Sequence, residues 1–410
     1  VTSMDTIDTT ALQRYGVVLR EVFAYARAQD YAGYSKFDAM NSPLLNALSL
    51  GISPVQWAMT QAVYRAPINV RPLLGVRKGV NPKAMGLFAL GYLLGSRAFP
   101  QERDHFIAEA QSLLEWLSNN RAHGYHGMSC GYNYIWPNLR FTAPANFPNL
   151  VVTGNVINAF LTGYELLNDS RYLEIARSSI NFVLNDLNTL IDTPEERAIS
   201  YVPGSKWIVL NNQGLAAVML AWVARHTGET HLVELARRHI RFLVNQQTPE
   251  GAWFYAYPPN SSPVTHDNYH TGNVLDWLLL YREFTGDAAF HAAYVRGLAF
   301  YEQHLFLPDG APKHRHNVDS PHDVHSSAQG AITFARAALF HDVSYVPLAQ
   351  KVLEWGLANL RAPDGGFYYM KGRWGVNRTR LMHWNEGLMS VALATTALAM
   401  QKAGKPQGWV

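Results

Sequence analysis

Five glycines open apolar helical runs along this chain at nearly constant spacing: Gly154, Gly214, Gly272, Gly330 and Gly387, separated by 60, 58, 58 and 57 residues. Each of the first four is followed by a short break and then a second, amphipathic run. A period of this length is that of a repeated helical hairpin, which buries its apolar face only against copies of itself. The hairpins read as Pro82–Leu94 with Gln101–Asn119, Thr153–Leu167 with Ser170–Leu184, Asn211–Thr227 with His231–Asn245, Thr271–Phe284 with Ala288–His304, and Ser326–Phe340 with Tyr345–Leu360. Two helical patterns are left without a partner, Thr9–Ala28 at one end and Glu386–Met400 at the other. If these two pack together, five hairpins become six and the ring closes. The expected architecture is therefore an all-α (α/α)6 toroid occupying 1–410 as one domain; an open superhelix with two capping helices is the alternative. The turns Glu250-Gly251 and Asp364-Gly365 lead into short aromatic stretches and, with the similar Asp309-Gly310 turn, are read as small β pieces in the loops.

Composition agrees with extensive buried helix surface, being 48% hydrophobic and only 16% charged. A net charge of +3 without a Lys/Arg run argues against a nucleic-acid groove. The longest apolar stretches, Met85–Leu94 and Leu388–Met400, are too short or too interrupted for a membrane span. Cys130 is the only cysteine, so no intrachain disulfide can form. With no signal-peptide pattern in view, a soluble cytoplasmic protein is expected, or a periplasmic one whose leader has been removed. A homodimer is an allowed state.

Chemistry gathers where inner helices begin. The stretch His266-Asp267-Asn268-Tyr269-His270-Thr271 holds more polar groups than helix capping requires. The next two starts read His322-Asp323-Val324-His325 through Gln329, and Arg378-Thr379-Arg380 through His383-Trp384-Asn385-Glu386. A ring would bring these ends to one mouth. Tyr269, His270, His325, His383 and Glu386 are then the candidate catalytic groups, and Asp267, Asn211, Trp207, Asp323, Arg378, Arg380, Trp384 and Gln329 the candidate substrate-binding ones. Trp207 and Trp384 offer an apolar face to a sugar ring, and the two arginines offer paired hydrogen bonds to a carboxylate. His314, His316, His322, Asp323 and His325 crowd one region, yet no zinc-helix spacing is present, and neither a metal nor a cofactor is expected. Nucleophile-elbow, phosphate-loop and dinucleotide signatures are absent. Hydrolysis of a glycoside requires two carboxylates at a set separation. Proton abstraction beside a uronate carboxylate requires a base, a proton donor and a cation, and the inventory of His, Tyr and Arg leans that way.

Two of these segments carry a family resemblance. Asp267–Leu280 resembles the Tyr-His element that begins a late inner helix in the C-terminal domain of D-glucuronyl C5-epimerases. Ser327-Ala328-Gln329-Gly330, continued by Ala331–Ala338, is similar to the Ala-Gln-Gly helix start of that domain. From Thr9 to Gln401 the chain resembles the broader six-hairpin glycosidase-like superfamily, which includes bacterial polysaccharide-biosynthesis proteins. The resemblance implies a pocket at one end of the inner ring, with Tyr269 and His270 near a uronate and Arg378 or Arg380 clamping its carboxylate. It does not extend to the β-rich regions that precede the helical domain in the epimerases. The same scaffold serves hydrolases, lyases, isomerases and lanthionine cyclases; the zinc-binding cysteines of the last are missing here. The expected function is thus a carbohydrate-active enzyme acting on a uronate-containing bacterial polysaccharide or oligosaccharide as a C5-epimerase or lyase. A six-hairpin glycoside hydrolase and a non-catalytic glycan-binding protein of exopolysaccharide assembly are the alternatives.

Overall fold

The computed structural model describes residues 9–138, 141–259 and 261–402, so the expected domain bounds reach past the described residues at both ends. The described residues form fourteen α-helices: α1 (Thr9–Ala28), α2 (Pro43–Leu48), α3 (Ser53–Arg65), α4 (Pro82–Ala98), α5 (Arg103–Asn119), α6 (Leu150–Leu167), α7 (Ser170–Asn185), α8 (Leu210–Thr227), α9 (Thr230–Asn245), α10 (Asn268–Thr285), α11 (His291–His304), α12 (Val324–Phe340), α13 (Val346–Leu360) and α14 (Leu388–Lys402). The even-numbered helices from α4 to α14 pack side by side in a closed inner ring, α14 meeting α4. Around them stand α5, α7, α9, α11 and α13, each against the inner helix that precedes it, with α1 against α14. The terminal helices therefore complete the sixth pair, as the leftover patterns require. Tyr15 of α1 donates to Glu354 of α13 at 2.7 Å, and Arg20 reaches Glu102 at 3.2 Å, so α1 also bridges its two outer neighbours.

The two layers differ because of what surrounds them. Inner helices are enclosed on all sides, and every residue of α12 is buried. A helix that is apolar all round belongs in such a position. Outer helices bury one stripe, as in α9, where Leu232, Ala236, His239, Ile240, Phe242 and Leu243 face inward. Inner helices α8 and α10 stop at Gly228 and Gly286, each with φ of 74°, a left-handed C-cap that turns the chain back into the outer layer. α6, of membrane-spanning length and apolarity, is two-thirds buried within the ring.

The periodic glycines mark where inner helices touch. A Cβ on Gly154 would lie 2.7 Å from Leu215 of α8, one on Gly214 would lie 2.9 Å from Trp277 of α10, and one on Gly272 would lie 2.8 Å from Gln329 of α12. An added methyl there overpacks the seam, at a cost of about 1–3 kcal/mol. Short antiparallel pairs tie the loops together at the end where inner helices begin. Ile208–Val209 pairs with Ala256–Tyr257, and Met370–Gly372 pairs with both His322–Asp323 and Gly375–Asn377.

Candidate active site at the mouth of the inner ring

Two aspartates repeat one device at successive inner helices. Asp267 caps α10 by accepting from the His270 backbone N–H at 2.8 Å, and its second oxygen accepts from His270 Nδ1 at 2.6 Å. Asp323 caps α12 by accepting from the Ser326 N–H at 2.6 Å, and its second oxygen accepts from His314 Nδ1 at 2.9 Å. Each carboxylate satisfies an orphan amide of the first turn and holds an imidazole by one nitrogen. With Nδ1–H directed at the carboxylate, Nε2 of each ring is left as the acceptor. Both aspartates are buried. Burial alone would raise the Asp323 carboxyl, but the bond from His314 and the charge of Lys36 hold it well below the usual carboxylate range.

His270 belongs to a closed collar of rings, and His314 stands beside it, 6.4 Å from the Tyr269 ring. Passing round it from Tyr269, one meets His325, Trp384, His383, Tyr132, Trp136, Tyr201, Trp207, Tyr255 and His270, then Tyr269 again, with consecutive centroids 4.1–6.4 Å apart. The rings come from the segments leading into α6, α8, α10, α12 and α14. α4 contributes Lys83, whose Nζ lies 5.0 Å from the Trp384 ring. Lys36, from the loop after α1, places its Nζ 4.1 Å from the same ring and 5.4 Å from Tyr269. Arg71 fixes that loop by pairing with buried Asp38 at 2.8 Å and donating to the carbonyls of Ser35 and Lys36. Burial, reinforced by Lys36, lowers Lys83 from the ordinary lysine range to about 7. Burial and the two lysines likewise push His325 and His383 well below the usual imidazole value, so both rings are neutral.

Beneath the collar lies an axial cavity of about 50 Å³, bordered by Lys83, Asn155, Asn158, Asn211, His325 and Gln329. Its floor is an ion pair between Asp276 and Arg336 at 2.6 Å, and Gln329 also donates to Asp276 at 2.9 Å. Several buried polar atoms here have no hydrogen-bond partner among the described residues, including His325 Nδ1, His383 Nε2, Trp384 Nε1, Asn158 Oδ1 and Asn211 Oδ1. Buried polar groups are ordinarily bonded, so a cluster of orphans marks a place built to meet something else. Beside Trp207 the collar opens into a side cavity of about 540 Å³.

The sequence candidates divide into two groups. Tyr269, His270, His325, His383, Trp384 and Trp207 meet in the collar, Asp267 and Asp323 stand behind its histidines, and Asn211 and Gln329 line the axial cavity. Glu386, Arg378 and Arg380 lie elsewhere. Glu386 Oε1 accepts from the Phe367 N–H at 3.1 Å and lies 3.7 Å from Arg380, on the side facing α1 and Tyr25. Arg380 donates to Asp364 at 2.6 Å and lies over Tyr25 and Tyr368, while Arg378 lies over Tyr368. The arginines expected at the mouth therefore lie outside the collar, where the positive charge comes from Lys36 and Lys83. The reason is helical geometry. His383–Gly387 is wound as a π turn, and residues two apart, such as Trp384 and Glu386, face opposite ways. Since the indole faces the axis, the carboxylate faces out. The crowded histidines also separate: His322 Nδ1 bonds the Pro312 carbonyl, His316 lies tilted 5.2 Å from the His266 ring, and no three acidic, His or Cys groups among the described residues are placed to share a metal ion. Asp276 and Arg336, charges inside apolar runs, and Lys83, in the first turn of another, carried a sequence signal that was missed. Lys36, Tyr132 and Tyr255 carried none.

No protein-family model matches the chain, and no curated protein does. Solved structures do resemble it. An unsaturated glucuronyl hydrolase specific for heparin is 14% identical, with 97% of this chain and 100% of that one covered and a TM-score of 0.64. Cellobiose 2-epimerase from Bacillus thermoamylovorans B4167 is 10% identical over 78% of this chain and 90% of that one, with a TM-score of 0.61. A sugar epimerase from a ruminal bacterium is 14% identical over 80% and 90%, with a TM-score of 0.58. Identities this low establish the fold, and the chain is a six-hairpin (α/α)6 toroid.

Proposed function

We propose that the collar is the active site of a carbohydrate-active enzyme that moves a proton at the carbon beside a uronate carboxylate in an acidic bacterial oligosaccharide or polysaccharide. The observation that carries this reading is the pair of aspartate-held imidazoles, His270 and His314, set among aromatic faces with two buried lysines across Tyr269 and Trp384. The axial cavity has space for a few waters, not for a pyranose, so the sugar lies on the collar, its apolar face against Trp384 or Tyr269. Its carboxylate meets Lys36 and Lys83, which stabilise the negative charge that develops when the adjacent C–H bond breaks. His270 Nε2 takes that proton, and Asp267 holds the resulting imidazolium. Return of a proton to the opposite face, from the Tyr269 hydroxyl or from His314 when its Nε2 also carries a hydrogen, gives epimerisation. Loss of the C4 oxygen, which leaves with a proton while a C4–C5 double bond forms, gives lyase cleavage.

Hydrolysis is less well served. Asp267 and Asp323 already accept bonds on both oxygens, and Glu386 is turned away, so no free carboxylate pair stands at the mouth among the described residues. The test is incubation with uronate oligosaccharides in deuterated water, following C5 exchange, ultraviolet absorbance of new double bonds, and reducing ends. Exchange without cleavage identifies an epimerase, and cleavage with unsaturation a lyase. New reducing ends with neither exchange nor unsaturation would replace this reading by glycoside hydrolysis, and binding with no turnover of any kind by a glycan-binding protein.

A further inference from the structure

A third cavity, of about 660 Å³, opens outside the collar between the end of α3 and the hairpin Met370–Gly372/Gly375–Asn377. Its walls carry Arg65, Arg315 and Arg373 with the rings of Tyr64, Tyr369 and Trp374, and none of its lining residues is acidic. None of the three arginines forms an ion pair with a described carboxylate, and Arg315 Nε is buried without a partner. Trp374 stands at the hairpin tip, 93% exposed. The exposed indole and three guanidiniums that no described carboxylate neutralises form one face of charge and ring. It is the surface expected where a ring with an anionic substituent docks, since guanidinium forks match carboxylate and sulfate oxygens.

The cavity is held in shape and is continuous with the collar. Asn377 donates to the Ala66 carbonyl at 3.2 Å, and Tyr369 bonds Tyr64 at 3.3 Å. Arg315 follows His314 directly, and its backbone bridges to Asp267. Lys36, over Trp384 on the collar side, lies 5.3 Å from the Tyr369 ring on the other. A line of positive charge and ring faces thus runs from the reacting position to the hairpin tip.

We infer that this cavity is an outer subsite for acidic sugars flanking the one held at the collar, so that the substrate is a chain bearing anions on successive residues. The inference rests on reading the collar as the place where a uronate reacts. It predicts affinity that grows with chain length. The experiment is calorimetric titration of the wild type and of R373Q/W374A, both exposed positions whose replacement leaves the fold intact, with di- and hexagalacturonate, chondroitin sulfate fragments of the same lengths, a neutral cellohexaose and a single-stranded oligonucleotide.

The expected result is an acidic hexasaccharide binding wild type about tenfold more tightly than the disaccharide, that advantage vanishing in the double variant. The disaccharide itself should bind both proteins alike. Comparing the carboxylated with the sulfated series identifies the anion. Equal affinity for cellohexaose, no gain with length, an unchanged double variant, or tighter binding of the oligonucleotide would each overturn the inference. C5 exchange on the disaccharide reports on the collar separately. Length-dependent binding lost in R373Q/W374A without any exchange would leave the subsite standing and remove the proposed reaction.

Discussion

The starts of α10 and α12 and the start of α14 look alike as sequence, each a His-rich polar stretch with an acidic residue ahead of an apolar run, yet the molecule uses them in opposite ways. In the first two the acidic residue is the N-cap, and its free oxygen is spent on an imidazole: Asp267 on His270, Asp323 on His314. In the third the acidic residue lies inside a π turn, buried against Phe367 and Arg380 on the outer side. The contrast teaches that a polar helix start does not define a site. What matters is whether the acidic group stands at the cap, where its side chain lies alongside the mouth, or a fixed number of residues later, where helical rotation decides its direction.

The sharpest way to break the comparison is to remove one group of each kind. H270A should lose about 10³-fold in kcat for C5 exchange, the usual scale for a general base. E386Q should stay within about threefold of wild type. Exchange rates measured with circular dichroism as a folding control decide it. Equal losses in the two variants would mean that the outer carboxylate reaches the sugar after all.

A smaller effect tests the aspartates. D323N keeps an oxygen for the Ser326 amide but presents an N–H to His314, which forces the other tautomer. A positioning role predicts a loss of about 10–100-fold in kcat with KM little changed. The 15N shifts of the His314 ring should show the hydrogen moving from Nδ1 to Nε2. Activity lost while the tautomer stays put would make Asp323 a purely structural cap.

Smaller again is the pH dependence of binding at Lys83. Its buried ammonium titrates at about 7, so the cation is present below that pH and lost above it. KM for a uronate disaccharide should be about tenfold higher at pH 8.5 than at pH 6, and K83M should flatten the profile. A pH-independent KM in wild type would assign the carboxylate to Lys36 alone.

How much of this was legible beforehand follows from which interactions are local. The glycine period is set by contacts between equivalent positions of neighbouring repeats, Gly154 to Leu215 and Gly214 to Trp277, so it survives in the sequence as a spacing. The same holds for the Asp267–His270 pair, three residues apart on one turn. The partner of Asp323 lies nine residues upstream in a loop, where His314 stands in the sequence only as one of a crowd of histidines. Lys36 reaches the collar because Arg71 ties down a distant loop, and no local pattern announces it. The outward turn of Glu386 was available, since two residues of rotation separate it from Trp384, but only to a reader who already knew which way the indole pointed.

Glu386 also yields the smallest expected effect, and one that separates the two kinds of helix start by stability instead of rate. Burial raises its carboxyl from the ordinary glutamate value to about 7, against smaller opposing contributions from the Phe367 amide and Arg380. Between the unfolded pKa of 4.5 and about 7 the native state holds a proton that the unfolded chain has released, so this group's contribution to stability is full below pH 4.5 and is lost as pH rises through about 7. Above that pH the fold must carry an ionised carboxylate whose Oε2 has no partner. Glutamine keeps an oxygen for the Phe367 amide without the charge. E386Q should therefore gain about 1 kcal/mol over wild type at pH 8 and nothing at pH 4.5, read from urea midpoints at the two pH values. A variant less stable than wild type at pH 8 would mean that the Arg380 ion pair outweighs the burial of the charge, and that the outer carboxylate holds the α14 entrance closed as an anion.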